Sequence, residues 1–151
     1  MNMQSILLAD DDSLDVELTL AELEQNHLAN KVAVVKDGEE ALNFLYCRGK
    51  FETREGGNPI VVLLDFKMRK VDGLEVLKTI KADENLKTIP VVLLTSSCEE
   101  KDLIRFQESG VNAYLRKPVN FNELMQAVRQ IGLFWAALDQ QPLVTGIEEP
   151  S

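Results

Sequence analysis

Five short aliphatic runs alternate along this chain with segments whose apolar residues recur at helical spacing. The runs are rich in Ile, Val and Leu and cover residues 6–9, 32–35, 60–64, 91–94 and 111–115. A strand that is apolar on both faces is typical of a parallel sheet covered by helices on both sides, because parallel strands need crossover connections. The alternation therefore predicts an α/β fold with a doubly wound, five-stranded parallel sheet.

The segments between the runs predict five helices. We expect Ser13 to cap the first helix and Gly110 to end the fourth. The apolar stripes are formed by Leu14, Leu18, Ala21 and Leu23 in the first helix, by Ala41, Leu42 and Leu45 in the second, by Leu74, Val76, Leu77 and Ile80 in the third, by Leu103, Ile104 and Phe106 in the fourth, and by Leu124, Ala127, Val128 and Ile131 in the fifth. Residues 48–58 form a polar, glycine-containing insert before the third strand.

Length and charge narrow the classes of function. The chain has 151 residues and a formal net charge of −9, which predicts one domain over residues 1–138 and a tail at residues 139–151. The acidic balance disfavours nucleic acid and anionic membrane surfaces as direct partners, and no apolar run approaches the roughly 20 residues of a membrane span. Two distant cysteines and the lack of a secretory signal predict a cytoplasmic protein.

Chemistry-bearing side chains collect where the predicted strands end. Asp10, Asp11 and Asp12 follow the first strand, Asp65 ends the third, and the fourth and fifth run into Thr95 and Lys117. The carboxyl ends of parallel strands share one sheet edge, where ligands bind in such folds. Crowded carboxylates need a cation, and hard oxygen ligands favour Mg²⁺. With a lysine and a hydroxyl beside them, they favour phosphoryl transfer.

Four stretches in register resemble the receiver domain of a two-component response regulator. They are ILLADDD from residue 6, LLDFKM from residue 63 with Asp72-Gly73, IPVVLLTS from residue 89, and residues 110–118 through Tyr114 to Lys117-Pro118. The resemblance covers roughly residues 3–129. It implies the flavodoxin-like receiver fold, with strand order 2-1-3-4-5.

The resemblance also implies roles for single residues. Asp65 would accept a phosphoryl group from a histidine of a partner sensor kinase. Asp11, Asp65 and the main-chain carbonyl of Lys67 would bind Mg²⁺ or Mn²⁺ directly, and Asp10 through water. Thr95 and Lys117 would contact the phosphoryl oxygens, and the Lys117–Pro118 peptide would be cis.

The signal would be read as a change of shape. Thr95 and Tyr114 would form the switch, in which the hydroxyl moves toward the phosphoryl group and the ring turns into the vacated space. The surface formed by the fourth helix, fifth strand and fifth helix would change with them. Such a protein is not an enzyme with a separate substrate, since it catalyses at most its own phosphorylation and dephosphorylation.

Two positions near Asp65 deserve comparison with the family pattern. Arg69 stands where members of the family usually have proline, so the loop can be more mobile or offer the kinase a contact. Lys67 stands two residues after Asp65, where side chains overhang the site. Our hypothesis is that its charge excludes or orients the hydrolytic water and so sets the lifetime of the phosphorylated state.

The end of the chain predicts how the protein signals. The residues after Pro118 are too few for a DNA-reading domain, so output must occur by contact. The apolar residues Phe134, Trp135 and Leu138 cannot all share the core face of a helix, and we expect them at a homodimer interface. This ending and the polar insert resemble the stand-alone regulators that pair with bacterial phytochrome histidine kinases.

Two other functions fit parts of the pattern. A magnesium-dependent phosphatase also uses an aspartate nucleophile at a strand end, but such enzymes usually carry a second aspartate two residues later, where this chain has Lys67. A receiver-like adaptor that works without phosphate would not need the complete set of Asp65, Thr95 and Lys117.

Overall fold

The aliphatic runs form the five strands of one parallel sheet. A computed structural model describes residues 6–25, 32–54, 57–68, 70–96, 99–111, 113–127 and 129. Its strands are β1 Ile6–Ala9, β2 Val32–Val35, β3 Val61–Asp65, β4 Val91–Thr95 and β5 Ala113–Arg116. All four pairings are parallel and the order is β2-β1-β3-β4-β5. The predicted fold class and strand order are confirmed.

Three of the five strands differ from the prediction by one or two residues at an end. β1 and β2 match it, whereas β3 and β4 each extend to the polar residue that follows the aliphatic run, Asp65 and Thr95. β5 spans Ala113–Arg116 rather than residues 111–115 because its pairing with β4 begins at Val92 opposite Ala113. Val111 lies in the connection that follows Gly110, whose φ of +82° suits glycine.

Helices cover both faces of the sheet. They are α1 Ser13–Glu24, α2 Gly38–Tyr46, α3 Gly73–Ala82 and α4 Glu100–Glu108. The side chains of α2 and α3 pack with one face of the sheet around Leu7, Leu64 and Leu93. The opposite core holds Leu8 and Leu63 with residues of α1 and of a helical segment at 121–127. The sheet is therefore doubly wound, as predicted.

The first helix is capped and oriented differently from the prediction. Asp12, not Ser13, is the N-cap, and its carboxylate accepts hydrogen bonds from the main-chain nitrogens of Leu14 and Asp15. Leu14 and Leu18 are 61% and 48% exposed, and Ala21 is also exposed. The face that packs on the sheet is instead formed by Val16, Thr19, Leu20 and Leu23. Those four positions have the i, i+3, i+4, i+7 spacing of one helical face.

The polar insert packs onto α2. It contains a short 3-10 helix, Gly49–Phe51, and the Phe51 ring meets the Phe44 ring edge-to-face with centroids 5.2 Å apart. The Arg54 guanidinium lies 4.1 Å from the centre of the Phe44 ring and donates to the Phe44 carbonyl at 2.8 Å. Arg54 also donates to the Gly57 carbonyl at 3.1 Å. These contacts hold the described residues 49–54 against the helix.

The last helical segment is joined to α1 by a side chain. Asn120 accepts from the main-chain nitrogen of Glu123 at 3.0 Å, as expected of an N-cap, and Phe121 donates its main-chain N–H to Glu22 of α1 at 2.8 Å. The predicted stripe residues Val128 and Ile131 lie outside the described residues, as do the predicted interface residues Phe134, Trp135 and Leu138 and the tail. Within the described part of the chain, no helix is long and apolar enough to cross a membrane.

Candidate phosphorylation and metal site

The polar residues predicted at the strand ends do meet at one edge of the sheet. Asp10 follows β1, Asp65 and Thr95 are the last residues of β3 and β4, and Lys117 follows β5. Main-chain hydrogen bonds hold these ends in register: Asp10 donates to Val35 at 3.1 Å and Lys117 donates to Thr95 at 2.9 Å. The sheet itself therefore sets the spacing between the site residues.

Three carboxylates form a compact cluster at this edge. Asp10, Asp11 and Asp65 each offer an oxygen atom, and these three atoms lie within 4.8 Å of one another. Asp10 and Asp65 are almost fully buried, at 1% and 5% exposure. The Asp10 Oδ1 accepts from the Asp12 N–H at 3.0 Å, but its Oδ2 is buried and accepts no hydrogen bond in the described structure. The Lys117 ammonium lies 3.2 Å from that oxygen, so one lysine faces several clustered carboxylates, and this set of hard oxygen donors fits a divalent cation.

Lys117 supplies positive charge to this cluster. Its ammonium lies 3.2 Å from Asp10 Oδ2, 3.1 Å from Asp65 Oδ1 and 2.7 Å from Asp15 Oδ2. The lysine side chain is only 12% exposed. Burial alone would lower the pKa of Lys117, but the hydrogen bond to Asp15 and the charges of Asp65 and Asp10 raise it above its usual value. The ammonium is therefore fixed in its charged form.

The same crowding disfavours the negatively charged form of Asp65. Burial, and next the negative charge of Asp10, raise the pKa of the Asp65 carboxyl, and the adjacent Lys117 offsets only part of this effect. Carboxylates this close repel one another, and the repulsion is offset only when positive charge lies between them. The site therefore favours binding of a further cation.

Asp65 opens onto a small depression in the surface. The depression is lined by Asp65, Phe66, Lys67, Thr95 and Ser96. Lys67 is exposed, and its ammonium lies 5.9 Å from the centre of the Phe66 ring. The buried carboxylate is thus accessible from one side, past the side chain of Lys67. Arg69 lies outside the described residues.

The loop after Asp65 contacts the start of α2 in two ways. Lys70 adopts a φ of +66°, and its ammonium lies 3.3 Å from Glu39 and 3.9 Å from Asp37, next to the start of α2. A β-carbon on Gly38 would lie 1.8 Å from the Val71 main-chain oxygen. Only glycine allows α2 to approach the loop this closely, so the loop that carries Lys67 is packed against α2.

Thr95 and Tyr114, the predicted switch pair, occupy the same face of the sheet. Tyr114 pairs with Leu93, two residues before Thr95, and paired residues of parallel strands project to the same side. Thr95 is 1% exposed and Tyr114 is half-buried against the core that α2 and α3 cover. The peptide between Lys117 and Pro118 is cis.

One residue at the site was not predicted from the sequence. Asp15, in the first turn of α1, makes the shortest contact of the Lys117 ammonium. Its signal in the sequence is its position, one helical turn after the acidic run at residues 10–12.

Two related proteins match this chain over most of its length. Response regulator Rcp1 of Synechocystis sp. (strain ATCC 27184 / PCC 6803 / Kazusa) is 38% identical over 130 residues, which is 86% of this chain and 87% of the relative. A probable methanogenesis regulatory protein, FilR2 of Methanothrix harundinacea (strain 6Ac), is 37% identical over 140 residues, 91% of this chain and 86% of the relative.

Similar solved structures include two bacteriophytochrome response regulators. AtBRR is 53% identical with a TM-score of 0.80, covering 90% of this chain and 97% of AtBRR. RtBRR is 50% identical with a TM-score of 0.78, covering 93% of this chain and 84% of RtBRR.

Two further structures bear on the chemistry. Rcp1 has been solved in an Mn²⁺-bound form, which is 38% identical with a TM-score of 0.67 and covers 86% of this chain and 92% of Rcp1. The cyanobacterial phytochrome response regulator RcpA has been solved in its phosphorylated form, at 35% identity and a TM-score of 0.70, covering 92% of this chain and 96% of RcpA.

The part of the chain that matches a protein family is the part that forms the described fold. Residues 6–129 match the response regulator receiver domain, a span that runs from the first residue of β1 to the last described residue of the chain. The strand order and the polar residues at the strand ends agree with that match. This chain belongs to the family of response regulator receiver domains.

Proposed function

We propose that this protein is a single-domain response regulator that accepts a phosphoryl group on Asp65 from a histidine of a partner sensor kinase. The observation that carries the proposal is the Asp65 carboxylate itself, which opens onto the surface depression and has the Lys117 ammonium 3.1 Å from its Oδ1. In the transfer, a carboxylate oxygen of Asp65 bonds to phosphorus as the bond from phosphorus to the kinase imidazole nitrogen breaks. The electron pair of that bond returns to the imidazole.

A divalent cation fits the carboxylate cluster. Asp11, Asp65 and the main-chain carbonyl of Lys67 would bind it directly, and Asp10 through water. Mg²⁺ and Mn²⁺ both prefer such oxygen donors, and the Mn²⁺-bound form of Rcp1 supports the assignment. When bound, the ion supplies positive charge to the phosphoryl oxygens and to the crowded carboxylates.

The remaining site residues bind the transferred group. Lys117 would form an ion pair with one phosphoryl oxygen, and the Thr95 hydroxyl would donate to another. The position of Thr95 at the end of β4 and that of Lys117 after β5 place both beside Asp65. The sheet fixes the main chain that carries both groups, so only their side chains need to adjust during transfer.

The output would arise at the edge of the sheet that carries β5. Movement of the Thr95 hydroxyl toward the phosphoryl group leaves space on the face that it shares with Tyr114. Rotation of the tyrosine ring into that space would change the surface formed by α4, β5 and the helical segment at 121–127. The phosphorylated form of RcpA supports phosphorylation as the trigger.

The kinase is expected to be a bacterial phytochrome, and the protein to be a cytoplasmic homodimer. The likeness to AtBRR and RtBRR supports the first point, and the apolar residues Phe134, Trp135 and Leu138 support the second. Analytical ultracentrifugation of the parent and of Trp135→Ala tests the dimer. A parent that sediments as a monomer at tens of micromolar would contradict the predicted dimer.

One experiment separates this function from the two alternatives. The protein is incubated with Mg²⁺ and a small phosphodonor such as acetyl phosphate, and its intact mass is measured. One stable adduct that Asp65→Asn loses and Glu108→Gln retains supports the phosphoacceptor. Turnover of the bulk phosphodonor with no adduct would indicate a phosphatase, and neither adduct nor turnover would indicate a phosphate-independent adaptor.

The hypothesis for Lys67 is tested on the same adduct. Its exposed side chain lines the depression beside Asp65, so its charge can control how water approaches the phosphoryl group. We expect Lys67→Ala to change the rate of adduct loss and Lys78→Ala, which removes an exposed lysine from α3, to leave it unchanged. Equal rates in Lys67→Ala and the parent would end the hypothesis.

A further inference from the structure

The closest partner of the Lys117 ammonium lies outside the three-carboxylate cluster. Asp15 Oδ2 is 2.7 Å from the ammonium, whereas the oxygens of Asp65 and Asp10 are 3.1 and 3.2 Å away. The Asp15 contact is also a hydrogen bond. Asp15 is therefore the side chain that holds the lysine most closely in this structure.

Asp15 differs from the other two carboxylates in its surroundings. Its side chain is 30% exposed, whereas those of Asp10 and Asp65 are 0% and 8% exposed. Its main chain is fixed, because its N–H donates to the N-cap side chain of Asp12 at 3.0 Å. A partly exposed carboxylate can release the lysine at a smaller desolvation cost than a buried one.

The charges at this edge of the sheet give Asp15 a defined effect. Its carboxylate and those of Asp10, Asp11 and Asp65 outnumber the positive charges of one lysine and one divalent ion. A phosphoryl group on Asp65 would add negative charge to this surplus. Asp15 thus attracts a cation and repels a phosphoryl group, and it competes with that group for the ammonium of Lys117.

We propose that Asp15 is a positioning residue that shares the Lys117 ammonium with Asp10 and Asp65 and leaves less of its positive charge to them and to a phosphoryl group. The site therefore binds a divalent cation more tightly and a phosphoryl group less tightly. The proposal rests on the proposed function, since it concerns the same lysine and the same phosphoryl group. Asp15 therefore limits the fraction of molecules in the phosphorylated state.

The test compares Asp15→Asn with Glu17→Gln, which removes an exposed carboxylate from the same helix. Affinity for Mg²⁺ alone is measured by calorimetry. Affinity for beryllofluoride, a phosphoryl mimic, is measured by ¹⁹F NMR at a Mg²⁺ concentration that saturates each variant. We expect Asp15→Asn to weaken Mg²⁺ binding about fivefold and to strengthen beryllofluoride binding about fivefold, the effect of one charge at this range. Glu17→Gln should change neither.

A second variant and a spectroscopic measurement guard against a merely structural effect. Asp15→Glu keeps the charge and should bind Mg²⁺ like the parent. The ¹⁵N-detected ammonium signal of Lys117 should exchange faster in Asp15→Asn, because one hydrogen bond is lost. Equal effects of Asp15→Asn and Glu17→Gln, or affinities that both fall or both stay unchanged, would overturn the proposal. A parent that binds neither probe would overturn the proposed function as well.

Discussion

A β-carbon on Gly73 would lie 2.3 Å from the main-chain oxygen of Asp65. The Gly73 N–H donates to the Phe66 carbonyl at 3.0 Å, so the first residue of α3 packs directly against the backbone that carries Asp65. Because α3 is in turn packed into the core through Leu77 and Ile80, the position of Asp65 depends on the absence of a side chain at residue 73.

Gly73→Ala should therefore damage both stability and phosphorylation. The added methyl would also lie 2.9 Å from the Phe66 Cα, and we expect the free energy of unfolding to fall by about 1–3 kcal/mol despite the better helix propensity of alanine. The yield of the Asp65 adduct should fall with it. The matched control is Gly57→Ala, since nothing lies within 4 Å of a β-carbon there. Urea unfolding and intact mass measure both effects, and equal results for the two variants would contradict the prediction.

Divalent cations should stabilise the folded protein through the carboxylate cluster. A ligand that binds only the folded state at ten times its dissociation constant adds about 1.4 kcal/mol to the free energy of unfolding. We expect Mg²⁺ or Mn²⁺ to raise the melting temperature and EDTA to reverse the rise. Asp11→Asn should lose most of the rise, and Glu108→Gln, an exposed carboxylate on α4, should keep it. A melting temperature in Asp11→Asn that responds to the metal as in the parent would refute this prediction.

Capping of α1 by Asp12 gives a test of the helix start. Asp12→Ala removes the acceptor for the Leu14 and Asp15 nitrogens and should cost about 0.5–2 kcal/mol of stability. Asp12→Asn should retain most of it. Ser13→Ala should change stability by no more than about 0.5 kcal/mol, because Ser13 is an exposed helical residue and not the cap. If chemical denaturation showed a larger loss of stability for Ser13→Ala than for Asp12→Ala, Ser13 would be the cap, as expected from the sequence.

The hydrogen bond from Tyr46 to Asp83, 2.7 Å long, should make stability depend on pH at both extremes. It raises the pKa of Tyr46, and it lowers the pKa of Asp83. The stability that Asp83 contributes is therefore present above its unfolded pKa and lost as the pH falls through its folded pKa. The contribution of Tyr46 is present below its unfolded pKa and lost as the pH rises through its folded pKa.

Tyr46→Phe removes the alkaline dependence and the part of the acid dependence that the phenol causes, since Asp83 keeps its hydrogen bonds from the Asn85 and Leu86 nitrogens. The difference in free energy of unfolding between the parent and Tyr46→Phe should be largest near neutral pH and decline toward acid and alkali. Absorbance at 295 nm should show one phenol that ionises above the ordinary tyrosine range in the parent and is lost in the variant. A difference that stays constant with pH would show that the hydrogen bond does not couple these two groups.

The sequence was sufficient for the sheet and for most of the site. Runs that are apolar throughout leave little choice of secondary structure or burial, and β1 and β2 match their predicted bounds. Once the strands are parallel, their carboxyl ends must share an edge, so Asp10, Asp65 and Lys117 meet without any further information. Their meeting follows from topology rather than from local spacing.

The orientation of α1 was predicted wrongly because its two faces are similarly apolar. Leu14 and Leu18 are large but exposed, while Thr19 is polar yet 3% exposed. A pattern of hydrophobic residues cannot distinguish the face that the sheet covers when a threonine replaces an aliphatic residue in it. The choice is made by packing against Leu8 and Leu63.

Contacts made by long side chains could not be predicted either. The reach of Lys117 to Asp15 and the stacking of Arg54 on Phe44 depend on how α1 and the insert lie against their neighbours. Neither pair has a sequence spacing that indicates contact. Such interactions become visible only in three dimensions.

The parallel arrangement of the strands also makes the site depend on completion of the sheet. Asp10 and Lys117 directly follow the first and last strands of the sheet, and Asp65 ends the third, so a chain in which β5 has not yet docked lacks the lysine of the site. If Asp65 accepts a phosphoryl group as proposed, a partly folded molecule would therefore lack the ammonium that pairs with that group.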